Sequence, residues 1–360
     1  MTTSGGASLH VHGTVGPPDA EQRLLLLYTG GTIGMTTRAD GALVPQDFGR
    51  LAAHLRDPDE LPVGVTIAAF DDPIDSSAIR PGRWLDIADA VVELAGDHTG
   101  VVVLHGTDTM AYSASALAFL LEGVDRPVVL TGSQRPLGER RSDADRNLYT
   151  AGAFAALRDG TGAPVVPEVT VAFGDLLLRG CRSRKVSADR FSGFASPDLP
   201  PLAHAGVSLE VTASLVRPPG AGGLRRTGGL CADVAALKLH PALDEHTLTA
   251  VLTRPGLRGV VIEAYGAGNG PSEPWFLRAL EAATASGVVV LVTTQCDSGA
   301  VRAGQYATGA ALFETGAVAG ADLTFEAALT KLMALLDRHP ADEVRRLLSV
   351  DLVGELSPLV

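Results

Sequence analysis

The chain has 360 residues, of which 46% are hydrophobic and 19% are charged. A single hydrophobic core rarely grows to this size, so the length favours two domains. The formal net charge of −12 at pH 7 disfavours nucleic-acid backbones and anionic membranes, and we expect neither as a binding partner.

The first segment of the chain, residues 1–22, is rich in glycine, serine, threonine, proline and histidine. It has no basic start followed by an apolar run, so it does not resemble a signal peptide. Its composition predicts a disordered tail. His10 and His12 could bind a metal ion there, but the tail interpretation is favoured.

The three cysteines, Cys181, Cys231 and Cys296, lie far apart and form no CxxC pair. Structural zinc and a redox dithiol are therefore disfavoured. Sparse cysteines are typical of a reducing compartment. Since a signal-peptide pattern is also missing, the sequence predicts a cytoplasmic protein.

Short apolar runs alternate with longer stretches in which apolar residues recur at helical spacing. The runs predict strands at residues 24–28, 65–70, 101–105, 127–131, 169–173, 234–239, 259–263 and 288–293. The longer stretches predict helices at residues 83–95, 111–121, 144–157, 273–285, 325–336 and 342–348. This alternation is typical of a mostly parallel, doubly wound sheet covered by helices on both faces.

Proline and glycine interrupt the alternation in RPPGAGGLRRTGG, which predicts a linker at residues 216–229. The predicted fold class is therefore two α/β domains. A larger N-terminal catalytic domain, residues 23–215, would contain the doubly wound sheet. A smaller C-terminal α/β domain would span residues 230–360.

Hydroxyl groups, small residues and acids follow the first four predicted strands. The segments are Thr29-Gly30-Gly31-Thr32, Asp75-Ser76-Ser77, His105-Gly106-Thr107-Asp108 and Thr131-Gly132-Ser133-Gln134. Ligands of open parallel sheets bind outside the carboxyl ends of the strands. We therefore expect a small-molecule site where these segments meet.

Several kinds of site are disfavoured by what these segments lack. Neither GxGxxG nor GxxxxGK is present for a nucleotide, and no GxSxG elbow is present for a serine hydrolase. His105 and Asp108 are three residues apart, but no second histidine or acidic cluster supports a metal. We expect no metal and no cofactor.

Lysine is rare in this chain: only Lys185, Lys238 and Lys331 occur among 29 basic residues. Arginine keeps its proton in proteins whereas lysine can lose it, so each lysine is a candidate for proton transfer or is retained for packing. A threonine nucleophile needs a base or a desolvated site. Lys185 could be that base; it could equally be a surface lysine in a basic patch with Arg182 and Arg184.

The chain resembles the bacterial-type asparaginases in two motifs that each contain a threonine, TGGTIG at residues 29–34 and HGTDTMAYSAS at residues 105–115. The similarity continues to the C-terminus through Asp75-Ser76-Ser77, TGSQRP (131–136), RSDADRNL (141–148), RGCRSRK (179–185), FASPDLPPL (194–202), AYGAGNGP (264–271) and TQCDSG (294–299). The Asp-Ser-Ser and TQC elements are more similar to the cytosolic type I branch than to the secreted one.

The resemblance implies an L-asparaginase, which hydrolyses L-asparagine to L-aspartate and ammonia. Thr32 would attack the side-chain amide and form an acyl-enzyme ester. Thr107, Asp108 and Lys185 would handle protons, and Asp108 would also pair with the substrate's α-ammonium group. No metal takes part in this scheme.

The resemblance also implies a set of substrate-binding groups. Asp75, Ser76 and Ser77 would bind the α-carboxylate and α-amino ends of the substrate. Backbone N–H groups near Thr107 and Ser133 would stabilise the oxyanion.

Members of the resembled family close their site at a subunit interface, which implies a homodimer or homotetramer. Asn269 would reach the site from the neighbouring subunit. Its alternative is a turn residue that tolerates positive φ.

Two departures from the family's pattern stand out. The family has a tyrosine on the flap after the first threonine, and residues 35–45 contain none. Tyr28 does not replace it, because it precedes the threonine motif. The lack of a flap tyrosine favours one alternative, a regulatory protein that binds asparagine or aspartate without turnover. A second alternative, an amidohydrolase for glutamine or another amide, stays open because Ser76 and Ser77 do not determine the size of the pocket. Arg184 also replaces a threonine of the type I allosteric site, for which Cys296 remains a candidate.

Overall fold

The structure, a computed structural model, describes residues 3, 6–17, 20–37, 43–45, 63–303 and 307–358. It divides the chain into two compact units. The first comprises Met1–Ser196 with Pro200–Thr227, and the second comprises Pro197–Leu199 with Gly228–Val360. The division at residues 227 and 228 falls inside the segment predicted to be a linker.

The strands of the first unit are β1 (Leu9–Val15), β2 (Arg23–Gly30), β3 (Met35–Thr37), β4 (Leu43–Pro45), β5 (Gly64–Ile74), β6 (Gly100–Leu104), β7 (Leu121–Glu122), β8 (Val128–Thr131), β9 (Val169–Phe173), β10 (Leu176–Arg179), β11 (Arg184–Lys185), β12 (Phe194–Ala195), β13 (Ala203–Ala205), β14 (Leu209–Val211) and β15 (Arg225–Arg226). Nine of them form one sheet in the order β1-β5-β2-β6-β8-β9-β10-β13-β14. The five from β5 to β9 in this order run parallel, and the strands at both edges pair antiparallel.

In the described part of the first unit the helices are α1 (Pro81–Leu94), α2 (Met110–Leu120) and α3 (Ala144–Ala156). Strand β2 is buried from Leu24 onwards, as expected of a parallel strand inside a sheet. Helix α3 contributes Leu148, Ala151 and Phe154, at helical spacing, to the core cluster that contains the sheet residues Leu26 and Val102. The predicted mostly parallel sheet of a larger α/β unit is confirmed.

The second unit is a smaller α/β structure, as predicted. Its strands β16 (Val234–Lys238), β17 (Gly259–Ala264), β18 (Val289–Thr294) and β19 (Val318–Ala319) all pair in parallel. Its helices are α4 (Glu245–Leu252), α5 (Pro274–Ala285), α6 (Ala307–Glu314), α7 (Phe325–Arg338) and α8 (Ala341–Leu348). None of the helices in the described part of the chain is long and apolar enough to cross a membrane.

A buried ion pair fastens the end of the chain to α7. Lys331 and Glu355 have fully buried side chains, and Lys331 Nζ lies 2.6 Å from Glu355 Oε1. The same ammonium donates to the carbonyl oxygens of Leu348 (3.0 Å) and Val350 (2.7 Å). Removing one partner of such a pair leaves an uncompensated buried charge, at a cost of about 3–5 kcal/mol. This lysine therefore has a structural role in the ion pair and its hydrogen bonds.

The predicted disordered tail is wrong for residues 9–15, which form β1 at one edge of the large sheet. The strand pairs antiparallel with β5, from Leu9 opposite Phe70 to Val15 opposite Val65. Leu9 is buried, whereas the middle of the strand is exposed, so the apolar pattern that reveals a strand is weak here. Pairing with the open edge of β5 supplies the missing stabilisation.

Two other details of the tail and the linker differ from expectation. The imidazole of His10 lies 3.0 Å from Asp71 Oδ2, so it pairs with a carboxylate of β5. No group of three or more potential ligands is placed to hold a metal among the residues that the structure describes. Arg225 and Arg226, inside the predicted linker, form β15 and pair with β7.

Candidate active site

Three of the segments predicted to form the site meet at the carboxyl ends of β2, β5 and β6. Glycines permit this approach, because a Cβ on Gly31 would lie 2.4 Å from the backbone of Gly106. A Cβ on Gly106 would lie 2.4 Å from Ser76 Oγ. Gly31 also has a φ of 94°, which favours glycine. Thr32 and Thr107 each directly follow one of the two touching glycines.

Thr32 begins a single 3-10 turn, Thr32–Gly34, and is half-buried. The phenol of Tyr28 packs against this turn, since a Cβ on Gly34 would lie 2.2 Å from Tyr28 Oη. Burial raises the pKa of Tyr28 to about 12, so its phenol keeps its proton at neutral pH and cannot act as a base. The flap follows as the hairpin β3–β4, of which residues 38–42 lie outside the described residues.

Thr107, Asp108 and Lys185 form one hydrogen-bonded group. Lys185 Nζ donates to Thr107 Oγ1 at 2.9 Å and to Asp108 Oδ1 at 2.7 Å. The lysine side chain is 19% exposed and that of Asp108 is 62% exposed, so the group lies at the edge of solvent. Strand β11, paired with β12, positions Lys185. A lysine that contacts both a hydroxyl and a carboxylate can carry a proton between substrate and enzyme.

The basic neighbours of Lys185 are not exposed as a patch. Arg182 is buried, with 2% of its surface exposed, and Arg184 is half-buried. Of the two interpretations that the sequence left open, the hydrogen bonds of Lys185 favour a role in the site over a solvated surface lysine.

The segment after β5 forms a tight turn beside Thr109. Asp75 Oδ1 accepts from the backbone N–H of Ser77 at 3.0 Å and so caps the 3-10 turn Ser76–Ala78. Thr109 Oγ1 donates to the carbonyl oxygen of Ser76 at 2.8 Å. Ser76 is buried, whereas Asp75 and Ser77 are exposed. The turn therefore presents one carboxylate and one hydroxyl to solvent next to the Thr107 segment.

The segment after β8 contributes Ser133, which the sequence predicted, and Gln134, which it did not assign to the site. Ser133 is buried, and its hydroxyl donates to the carbonyl oxygen of Arg135 at 2.5 Å. Gln134 Oε1 accepts from Thr107 Oγ1 at 3.4 Å, and Gln134 Nε2 donates to the carbonyl oxygen of Arg190 at 3.1 Å. The sequence signal that could have identified Gln134 is its amide side chain in the motif TGSQRP, directly after Ser133.

His105 lies beneath the Thr107 segment in a chain of hydrogen bonds. Its Nδ1 donates to the carbonyl oxygen of Gly106 (2.8 Å), and its Nε2 accepts from Ser113 Oγ (2.9 Å). Trp84 Nε1 donates to the same Ser113 oxygen at 2.9 Å. A neutral imidazole with its proton on Nδ1 fits this pattern, and burial lowers the pKa of His105 from 6.5 to about 4.

This neutral histidine predicts a loss of stability in acid. Because the pKa of His105 is lower in the folded protein than in the unfolded chain, protons favour unfolding as the pH falls from 6.5 to about 4. A difference of this size corresponds to about 3 kcal/mol over that window. Denaturant unfolding at several pH values should show a smaller decrease for His105→Asn, whose amide can still donate to Gly106. Equal decreases in both proteins would contradict the assignment.

Asn269 and Cys296 belong to the second unit. Asn269 ends a turn in which it exchanges backbone hydrogen bonds with Tyr265, at 2.9 and 2.8 Å. Positive φ angles in this turn are carried by Gly266 and Gly268, so Asn269 is a residue of the turn without a positive φ of its own. Cys296 is exposed. The roles suggested for both residues stay predictions.

Comparisons with known proteins agree with these motifs. The family model for the N-terminal asparaginase domain matches residues 23–217, and that for the glutaminase/asparaginase C-terminal domain matches residues 233–348. L-asparaginase 1 of Escherichia coli is 39% identical over 94% of this chain and 99% of its own length.

Two further relatives bear on fold and activity. The crystal structure of L-asparaginase I from Vibrio cholerae matches with a TM-score of 0.84 and 36% identity, over 94% of this chain and 100% of that one. A human protein named 60 kDa lysophospholipase is 38% identical, over 96% of this chain and 62% of its own length.

Proposed function

The chain belongs to the asparaginase family and is an amidohydrolase, and on this premise we propose that it hydrolyses L-asparagine to L-aspartate and ammonia. The observation that carries this proposal is the contact of Lys185 Nζ with both Thr107 Oγ1 and Asp108 Oδ1. This contact joins Lys185 to the second threonine motif. The close approach of Gly31 to Gly106 brings the first threonine motif beside the second.

In the proposed reaction, Thr32 Oγ1 attacks the side-chain amide carbon of the substrate. Its proton passes through Thr107 Oγ1 to the Lys185 amine and then to the leaving nitrogen, which departs as ammonia. The remaining ester between Thr32 and the aspartyl group is attacked by water. That step restores the threonine hydroxyl and releases L-aspartate.

The substrate's two charged ends find complementary groups in this proposal. The exposed carboxylate of Asp108 would pair with the α-ammonium group. The same carboxylate also contacts Lys185 Nζ. The turn of Asp75, Ser76 and Ser77 would bind the α-carboxylate and α-amino ends through hydroxyl and backbone groups. Backbone N–H groups near Thr107 and Ser133 would stabilise the negative oxygen that develops on the amide carbon.

The assembly is proposed to be a homodimer or homotetramer in which Asn269 of a neighbouring copy completes the site. A cytoplasmic location stays a prediction from the sequence. Neither statement is needed for the chemistry of Thr32 and Lys185.

Two other functions differ from this proposal in what they predict. A regulatory protein that holds asparagine or aspartate is favoured by the lack of a flap tyrosine in residues 35–45. Hydrolysis of glutamine, a D-amide or another substrate would use the same nucleophile and lysine. The name of the human relative adds lysophospholipid esters to the substrates that merit a test.

The deciding experiment measures ammonia release by the wild-type protein from L-asparagine, D-asparagine and L-glutamine, and fatty-acid release from a lysophosphatidylcholine. We expect the highest kcat/KM for L-asparagine. A higher value for another substrate would replace it in the proposal. Tight binding of asparagine by calorimetry without any ammonia release would support the regulatory protein and overturn the enzyme.

A further inference from the structure

Asp143, in the motif RSDADRNL, is a buried carboxylate that bonds to the segment after β8. It directly precedes helix α3, where an aspartate normally accepts a backbone N–H of its own helix. Its carboxylate makes no such cap bond. Instead, Oδ1 accepts from the N–H groups of Gln134 and Arg135, each at 3.1 Å, and Oδ2 accepts from Gln134 N–H at 3.0 Å.

Asn147, one helical turn further along α3, completes this arrangement. Its side chain is fully buried, and its Nδ2 donates to Asp143 Oδ2 at 3.1 Å and to the carbonyl oxygen of Gly132 at 2.9 Å. Its Oδ1 accepts from Gly174 N–H at 3.0 Å, which ties the pair to the end of β9. We call Asp143 and Asn147 the α3 clamp.

The α3 clamp holds the backbone on both sides of Ser133. It bonds the carbonyl oxygen of Gly132 before this residue and the N–H groups of Gln134 and Arg135 after it. The peptide N–H near Ser133, a proposed oxyanion donor, is thereby fixed in direction. Oxyanion stabilisation depends on such preorganisation, because a donor that must reorient during the reaction contributes less.

The same clamp sets the position of the Gln134 side chain. The backbone of Gln134 is held by both carboxylate oxygens of Asp143, and its amide reaches Thr107 Oγ1 (3.4 Å). Hydrogen bonds to an ionised carboxylate are about twice as strong as neutral ones. A buried charge is costly unless it is satisfied in this way. The Asp143 carboxylate therefore fixes the geometry of the segment beside Thr107.

We propose that Asp143, supported by Asn147, is a positioning residue for the hydrolytic reaction. It acts through the Ser133 backbone and the Gln134 side chain and does not touch the substrate. This inference rests on the proposed function, because it assigns a purpose to groups that the proposed reaction uses.

The test compares Asp143 with a matched buried carboxylate at the opposite, amino ends of the parallel strands. Glu168 precedes β9 at its amino end, is buried, and bonds to Arg179 Nε at 2.6 Å. We expect Asp143→Ala to lower kcat for L-asparagine by about tenfold or more, with a smaller change in KM. Asp143→Asn keeps one acceptor oxygen and should give an intermediate kcat. Glu168→Ala and Glu168→Gln should lower the melting temperature but leave kcat within about twofold.

A second readout does not depend on activity. Hydrogen exchange at the amides of Gln134 and Arg135 should become faster in Asp143→Ala and Asp143→Asn but not in Glu168→Gln. A folded Asp143→Ala with kcat within about twofold of wild type would overturn the inference. If the wild type releases no ammonia, the proposed function fails separately, and unchanged exchange at the two amides would then overturn the clamp itself.

Discussion

Replacing Thr32 by alanine is expected to lower kcat for ammonia release from L-asparagine by about 10⁴-fold or more, as removal of the nucleophile does in other hydrolases. Thr32 begins the short turn that follows the Gly30-Gly31 pair, and alanine fits that turn without strain. The substitution removes the hydroxyl that forms the proposed ester, while the contact of Gly31 with Gly106 persists. Binding of L-aspartate should therefore survive, and calorimetry can verify it in the same protein.

Thr99→Ala is the matched control for this substitution. Thr99 Oγ1 donates to the carbonyl oxygen of Arg23 at 2.9 Å, at the amino ends of β2 and β6, away from the rim where Thr32 lies. Its replacement should leave kcat within about twofold. Activity of Thr32→Ala above about one per cent of wild type would exclude Thr32 as the nucleophile, given the usual size of this effect.

Replacing Lys185 by methionine should lower kcat by about 10³-fold, within the range of about 10²–10⁴ contributed by general acid–base groups. Methionine has a similar length but has no amine to contact Thr107 Oγ1 and Asp108 Oδ1 or to accept the threonine proton. KM for L-asparagine should change less than kcat, because the substrate's contacts with the Asp75 turn remain. Steady-state kinetics on the purified variant measure both values.

Lys185→Arg separates charge from proton transfer. Arginine keeps the positive charge but does not release its proton, so it should remain as slow as methionine. Lys238→Met removes an exposed lysine of the second unit and should leave kcat within about twofold. Wild-type kcat in Lys185→Arg would show that only a fixed charge is required at this position.

Elements whose signal is local were predictable from the sequence. Strand β9 has the predicted bounds, because five consecutive buried residues, four of them apolar, mark it whatever lies around it. Strand β1 escaped prediction, since it is defined by its pairing with β5, about fifty to sixty residues away in sequence. The strands β11 to β14 escaped because each has only two or three residues and is defined by its partner, whereas β10 contains the apolar run Leu176–Leu178, which was overlooked.

The site shows the same division between local motif and tertiary contact. The two threonine motifs could be singled out because each follows a predicted strand and resembles a known family motif, and Lys185 could be singled out because lysine is rare in this chain. The role of Gln134 and the α3 clamp could not, since both depend on which donors and acceptors the fold brings together. Lys331 shows that the rarity of lysine does not by itself identify a site residue. It is also one of only three lysines, yet it forms a buried ion pair with Glu355.

The distribution of the three lysines also determines how the protein can be attached to other molecules. Lys331 is sealed in its ion pair and Lys185 is engaged in the site, whereas Lys238 is exposed. Among the lysines, an amine-reactive polymer or surface would therefore couple mainly at Lys238. A bound substrate analogue would protect the amine of the Thr107–Lys185 group during this reaction.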